Sequence, residues 1–359
     1  MNVRDLTPTQ LDDSRARDLV ARAHDLIPAL KKRAVETEDL RCLTDATVAD
    51  LKAAEIHKYF TPKRYGGLEL DWPVHLDIGR ELAKGCGSTA WIACVVLANT
   101  WIIGRFPEQA QDESFGENPD LIASSAFAGG NKMEPVDGGY MLDGLWRFSS
   151  GVDHADWAIL GALVAEHRPH EEARPPEFRL ALVPRSEFEI IDNWYAAGLK
   201  GTGSKDIKVT ETFVPAHRTL ENSTDGTVAP PGAALHDSYI YGVEFLPYFR
   251  SLVLGPILGA AHGALADYLE ITTGRTGRMF GESIVDQVPV QTRIAESALE
   301  IRSAELLARN EMNMMDEHGR FANSPINFCL VTDCCAETAW EWHHLGSAWV
   351  AFSQILRHF

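Results

Sequence analysis

Two short stretches hold most of the residues whose types and spacing could do chemistry. One reads Phe148-Ser-Ser-Gly-Val-Asp-His-Ala-Asp-Trp157 and the other Trp194-Tyr-Ala-Ala-Gly-Leu-Lys-Gly-Thr-Gly-Ser-Lys-Asp206. Each sets small hydroxyl residues and glycines beside aromatic rings on β-like segments. Glycine lets a backbone approach a ring closely. Hydroxyls can donate or accept at ring heteroatoms, and an indole can cover a ring face. The combination suits a flat aromatic cofactor with polar edges.

Other chemistries lose ground at once. No phosphate-binding P-loop is present, and no GxGxxG follows a strand. Gly198-Leu-Lys-Gly201-Thr-Gly203 is glycine-rich but lies between β-like segments, which makes a dinucleotide-fold reading weak. No HExxH or paired Cys/His spacing supports a metal, and the adjacent His343 and His344 would point to different sides of a helix. There is no GxSxG elbow. The six cysteines (Cys42, Cys86, Cys94, Cys329, Cys334, Cys335) form no CxxC pair, and Cys334-Cys335 reads as a helix-packing pair. The formal net charge of −18 argues against nucleic acid or an anionic membrane as partner. At 45% hydrophobic and 23% charged over 359 residues, the composition is that of an ordinary globular protein. No run of about 18 apolar residues is present, and residues 1–30 hold Asp5, Asp12, Asp13 and Asp18 without an apolar signal core. The expectation is a cytoplasmic protein.

The elements that must position the two stretches take a helical, β-rich, helical order, predicted as domains 1–120, 121–230 and 231–359. From Asp18, apolar positions through Ala34 recur at helical spacing, and Thr44-Asp45 looks like a helix start. Leu76 to Leu82 and Thr89 to Ile103 read as two further helices, the second apolar on nearly all sides and hence buried. Val136-Asp-Gly-Gly-Tyr140 is a hairpin signal, after which Tyr140, Leu142, Trp146 and Phe148 fall on alternate positions. Apolar runs at 158–165, 180–183 and 207–214 continue the β region, and 221–234 reads as a loop. Helical spacing then returns beyond Leu246, across 252–269, 291–315 and 336–356.

This order resembles the acyl-CoA dehydrogenase fold, and the motifs resemble its oxygenase branch, the two-component flavin-dependent monooxygenases of group D. The likeness is to members that hydroxylate a secosteroid phenol and 4-hydroxyphenylacetate. It rests on Thr37-Glu-Asp-Leu40, Tyr65-Gly-Gly67, Cys86-Gly-Ser-Thr-Ala-Trp91, Trp146–Trp157, Val183-Pro-Arg-Ser-Glu187, Trp194–Ser204 and Phe213-Val-Pro215. The resemblance implies an N-terminal helical domain, a middle β-barrel-like domain and a C-terminal four-helix bundle, mostly α, in a homotetramer. It further implies an oxygenase component that takes reduced flavin (FMNH2 or FADH2) from a separate NAD(P)H-dependent reductase. With O2 it would form a C4a-hydroperoxyflavin that hydroxylates a small aromatic substrate.

Carried over residue by residue, Ser124 and Ser125 match a loop facing the flavin pyrimidine edge. Ser150 and Gly151 match the segment near N5, and Ser150 is the expected donor to the oxygenated flavin. Thr202, Gly203 and Ser204 match the closing loop, Arg275 the arginine on flavin phosphate, and Phe280 a nearby aromatic. Trp91 and Asn99 fall among the substrate-pocket helices, and His154 is a candidate beside the reacting centre. Read from the residues alone, alternatives stay open. Ser149 and Ser150 could end a strand, Trp146 and Trp157 read as core, and Trp91 is either core or pocket. His154 could be held by Asp153 or Asp156, Arg275 and Arg278 could be surface charges, and His262 reads as a buried packing histidine.

Two departures from the pattern leave the general base open. Relatives place a histidine in the helix after Cys-Gly-Ser-Thr, where this chain has Asn99-Thr100-Trp101, and another beyond the point where Arg357-His-Phe359 stands. Three rivals remain. An acyl-CoA dehydrogenase needs a catalytic glutamate, which the segment 343–352 lacks. An N- or S-oxygenase of the same fold differs only in substrate. A binding protein that has lost catalysis would have damaged serine and glycine blocks, and here they are intact.

Overall fold

In a computed structural model, the structure describes residues 13–127, 130–165, 177–222, 228–277, 281 and 283–321. The apolar run expected as one helix from Asp18 is two: α1 (Ser14–Asp25) and α2 (Ile27–Leu40), broken at Leu26 where Pro28 opens the second. Helix α2 stops at Arg41, which takes a left-handed φ of 57°. Helix α3 (Asp45–Ala53) starts as expected, the Thr44 hydroxyl accepting from the Thr47 amide. Helix α4 (Val74–Ala83) is buried along almost its whole length.

The apolar stretch after it is not one helix. It divides into α5 (Gly87–Trp91), a π-helical turn at Ile92–Val96, and α6 (Asn99–Ile103). A π turn widens the helix by one residue per turn and re-aims the chain beyond it. It separates Trp91 from Asn99, which uniform periodicity would have placed on one rod. Helix α7 (Glu108–Glu117) leads into the sheet.

The sheet has eight strands: β1 (Ala123–Ala126), β2 (Lys132–Val136), β3 (Gly139–Ser149), β4 (Trp157–Val164), β5 (Phe178–Pro184), β6 (Glu189–Ile191), β7 (Lys205–Pro215) and β8 (Thr219–Glu221). Their order is β6-β7-β3-β2-β4-β5-β8, with β1 paired in parallel to β4. The β2–β3 hairpin closes as expected through Asp137-Gly138, with Gly138 at φ 78°. Strand β3 departs from simple alternation. Its pairing with β7 slips between Trp146 and Ser149, which turns Ser149 inward and swings Phe148 out, 59% exposed. Trp146 and Trp157 are core, as read from the sequence.

Two hydrophobic cores result. One unites the N-terminal helices around Trp72, Trp101 and Tyr248; the other lies within the sheet around Leu142, Trp146 and Val183. Helices α8 (Phe245–Ser251), α9 (Leu254–Thr272) and α10 (Val288–Phe321) supply the described part of the expected C-terminal bundle. Residues 336–356, with His343, His344 and Cys334-Cys335, lie outside the described residues. Helix α9 packs tightly on α4: a Cβ at Gly259 would fall 2.2 Å from the Arg80 carbonyl oxygen. By length and composition Phe245–Thr272 is apolar enough to cross a membrane, although Arg250, His262 and Asp267 interrupt it and it holds no run of about 18 apolar residues. Its glycine face is committed to α4.

Candidate active site

The two stretches picked out by their chemistry meet in space. Ser150 Oγ is 2.7 Å from Ser204 Oγ, and Ser204 Oγ is 2.7 Å from Thr202 Oγ1. The Trp91 indole N–H donates to Ser150 Oγ at 3.2 Å, and the Thr202 hydroxyl donates to the Leu199 carbonyl at 2.8 Å. Each hydroxyl owns one proton, so the direction of the whole chain is forced. Thr202 has spent its proton on Leu199 and must accept from Ser204; Ser204 must then accept from Ser150. Ser150 is left with a lone pair and no proton to offer. The backbone locks the same junction, with Gly151 N–H donating to the Thr202 carbonyl at 2.8 Å. Gly151 and Gly203 both take left-handed φ values, 70° and 51°, where a side chain would be strained.

Around this junction lie exposed rings. Phe148 has a left-handed φ of 63°, uncommon for a bulky residue, and meets Trp194 edge-on with centroids 6.3 Å apart. Tyr195 is 76% exposed beneath the Arg41 guanidinium, 4.2 Å above its ring. Alternation in the sequence puts Phe148 on the same face as Leu142 and Trp146 and gives Tyr195 no role; only the bulge turns Phe148 outward.

The remaining candidates fall at varied distances from the junction. Ser124 is fully buried on β1 with its hydroxyl unpartnered, while Ser125 is half-buried. Asn99 is fully buried, its amide nitrogen donating to the Ala123 carbonyl at 2.7 Å, so it ties α6 to β1; its Oδ1 has no partner. His154 Nε2 sits 2.9 Å from the Leu43 carbonyl. It is held by neither Asp153 nor Asp156, the two carboxylates beside it in sequence. Asp153 pairs with Lys205 at 2.6 Å, and Asp156 caps the Ile122 amide at 2.9 Å. Arg275 is exposed in the turn after α9, and no hydrogen bond joins its side chain to the Ser150 chain among the described residues. Phe280 and Arg278 lie outside the described residues. His262 is half-buried rather than buried, with Nε2 3.7 Å from Glu305 Oε2.

Behind Gly151 a small apolar cavity is lined by Leu43, Val48, Leu51, Ile122, His57 and His154. His57, which the sequence did not mark, is 3% exposed; its Nε2 is 3.0 Å from Asp120 and its Nδ1 has no partner. Burial pulls its pKa below the usual imidazole value, against the pull of Asp120.

Comparison with known proteins fits this geometry. The chain is 36% identical over 297 residues to the flavin-dependent monooxygenase, oxygenase subunit HsaA, of Mycobacterium tuberculosis, covering 82% of this chain and 74% of that protein. It belongs to the flavin-dependent monooxygenase oxygenase components. A crystal structure of the M. tuberculosis HsaA monooxygenase superposes with a TM-score of 0.79 at 34% identity, over 87% of this chain and 80% of the other. The oxygenase component of p-hydroxyphenylacetate 3-hydroxylase from Acinetobacter baumannii is 32% identical over 314 residues, 87% of this chain and 73% of that protein. That of an FADH(2)-dependent resorcinol hydroxylase from Rhizobium is 32% identical over 300 residues, 81% and 72%. Residues 252–347 match the acyl-CoA dehydrogenase C-terminal domain.

The residues present suit the flavin of these oxygenase components. A ring with polar edges needs neutral hydrogen-bonding groups at its rim and apolar surface at its face. The Ser150–Ser204–Thr202 chain and the unpartnered buried hydroxyls of Ser124 and Ser149 supply the first. Phe148 and Trp194 supply the second.

Proposed function

We propose that this chain is the oxygenase component of a two-component monooxygenase, hydroxylating a phenolic or related aromatic small molecule with reduced flavin (FMNH2 or FADH2) and O2. The observation that carries this reading is the junction of Trp91, Ser150, Ser204 and Thr202 in a chain of this family. Ser124, Ser125, Ser150, Gly151, Thr202, Gly203 and Ser204 would hold the ring, with Arg275 and Phe280 toward its phosphate end. Trp91 and Asn99 shape the substrate side, and we keep the division at 120 and 230. When bound, reduced flavin supplies the electrons that activate O2 for transfer of one oxygen atom.

The protein's own groups do the rest. Ser150, with its proton turned into the chain, accepts a hydrogen bond from a ring N–H. Reduced flavin carries such an N–H where oxidised flavin has a bare nitrogen, so the wiring favours the reduced ring. This reverses the sequence expectation that Ser150 donates. Trp91 and the buried wall formed by Ile92 and Val96 exclude water, which keeps the electrostatics of a dry site strong. His154, fixed on Leu43, orients the turn after Ser150.

A separate reductase fits the absence of a nicotinamide fingerprint in the sequence. Ile257, Ile271, Leu299 and Leu307, exposed on α9 and α10, support a homotetramer, which we place in the cytoplasm. Supplying reduced flavin and 18O2 with a panel of phenols tests the function. One 18O atom in a new ring hydroxyl is expected; hydrogen peroxide alone with every phenol, or oxygen found only on nitrogen or sulfur, would overturn it.

A further inference from the structure

Glu38, near the C-terminal end of α2, touches both halves of the site through a single carboxylate. Its Oε2 accepts from the Lys200 amide at 2.9 Å, and its Oε1 accepts from the Gly201 amide at 3.3 Å. The same Oε1 accepts from the Ser88 hydroxyl at 2.5 Å. Lys200 and Gly201 belong to the turn that presents Thr202 and Ser204. Ser88 belongs to α5, the short helix that ends in Trp91. So the carboxylate is bonded to the two elements that supply the two ends of the hydroxyl chain, Trp91 at one and Thr202 at the other.

The approach is close as well as bonded. A Cβ added at Gly201 would fall 2.3 Å from Thr37 Cγ2 and 3.1 Å from the Thr37 carbonyl oxygen. Only glycine lets α2 come near enough for the carboxylate to reach both amides. Both carboxylate oxygens are used as acceptors, and a carboxylate is the side chain with two acceptors and no donor. An amide in its place would turn an N–H toward at least one of these donors.

We infer that Glu38 is the positioning residue of the site: it sets the spacing between Trp91 and Thr202, and thereby the direction of the proton chain through Ser150. It touches neither ring nor substrate and acts through Ser88, Lys200 and Gly201. The inference rests on the reduced-flavin reading for its consequence, and on the structure alone for its geometry.

Two measurements on the full chain test it separately. The first is amide hydrogen exchange of the flavin-free protein. Glu38→Gln is expected to speed exchange at Lys200 and Gly201 and also at Gly151, whose N–H donates to the Thr202 carbonyl. Exchange unchanged at all three would overturn the inference whether or not flavin binds. The second is anaerobic titration with reduced FMN and FAD. Glu38→Gln is expected to raise Kd about tenfold, the scale of one hydrogen bond to a charged group. Ser88→Ala should raise it less, and the double variant should fall short of the product of the two. Glu36→Gln, on an exposed position of the same helix, removes the same charge and should leave Kd unchanged. A fall in melting temperature with Kd unmoved would make Glu38 merely structural and overturn the inference. Failure of the unmodified protein to bind reduced flavin would instead overturn the functional reading, leaving the exchange result to judge Glu38.

Discussion

Two of the buried polar clusters among the described residues are built on opposite principles. The Ser150 chain is neutral: four side chains pass hydrogen bonds in one direction to a backbone carbonyl. The cluster between α4 and α10 is charged. Asp77 and Arg309, each 7% exposed, form a bidentate pair, and Glu305 is closed in by Arg80 and Arg302. Buried charges are costly to separate, so the second cluster has one arrangement and clamps α10 in place. The hydroxyl chain is satisfied along its length yet keeps one lone pair on Ser150, so it can meet a ligand's edge without giving up a bond of its own. The difference separates a strut from a site.

The largest expected effect comes from breaking the strut. Arg309→Ala strips buried Asp77 of its bidentate partner and leaves it only Arg80 at 3.4 Å, at a cost of about 3 kcal/mol, read as a fall in melting temperature of roughly 5 °C. Ser150→Ala should cost only about 1 kcal/mol of stability yet weaken reduced-flavin binding about tenfold, by calorimetry under anaerobic conditions. If Ser150→Ala unfolds the protein as Arg309→Ala does, the contrast between strut and site fails.

Acid should separate the clusters further. His262, Arg80 and Arg302 together hold the Glu305 carboxyl down to about 2 against its burial. A carboxyl depressed in the folded state stabilises fully above its ordinary value and loses that contribution as pH falls toward the depressed one. Urea midpoints should therefore drop between about pH 4.5 and 2, and Glu305→Gln should flatten that limb. Nothing in the hydroxyl chain titrates there, so Ser150→Ala should keep the full acid limb. The smallest effect belongs to Phe148. Phe148→Gly relieves a left-handed backbone and should stabilise by about 1 kcal/mol while binding flavin more weakly, which chemical unfolding and titration would each read.

How much of this was legible in the sequence depends on range. Local chemistry read well: Thr44 capped its helix and Asp137-Gly138 turned its hairpin, and the two stretches holding Ser150 and Thr202–Ser204 meet in space. Breaks in period did not. An all-apolar stretch gives no sign of a π turn at Ile92–Val96, and strict alternation hid the bulge that exposes Phe148. Long-range pairing was invisible. Asp77 and Arg309 are 232 residues apart, and Glu38 lies 162 residues from the Lys200 amide it holds. Within Thr37-Glu-Asp-Leu40, Glu38 is one of two adjacent acids, and only the fold shows what its carboxylate accepts. The proton direction through Ser150 depends on the Leu199 carbonyl, a backbone group no side-chain pattern marks.

On the function proposed above, the Ser150 chain holds a reduced flavin that meets oxygen in a dry site. Rapid anaerobic mixing of the protein with reduced flavin, followed by a pulse of O2 under stopped-flow absorbance, decides the point. The expected result is a transient band distinct from that of oxidised flavin, long-lived in the unmodified protein and short-lived in Ser150→Ala. Direct return to the oxidised spectrum at the rate of free flavin in solution would contradict it.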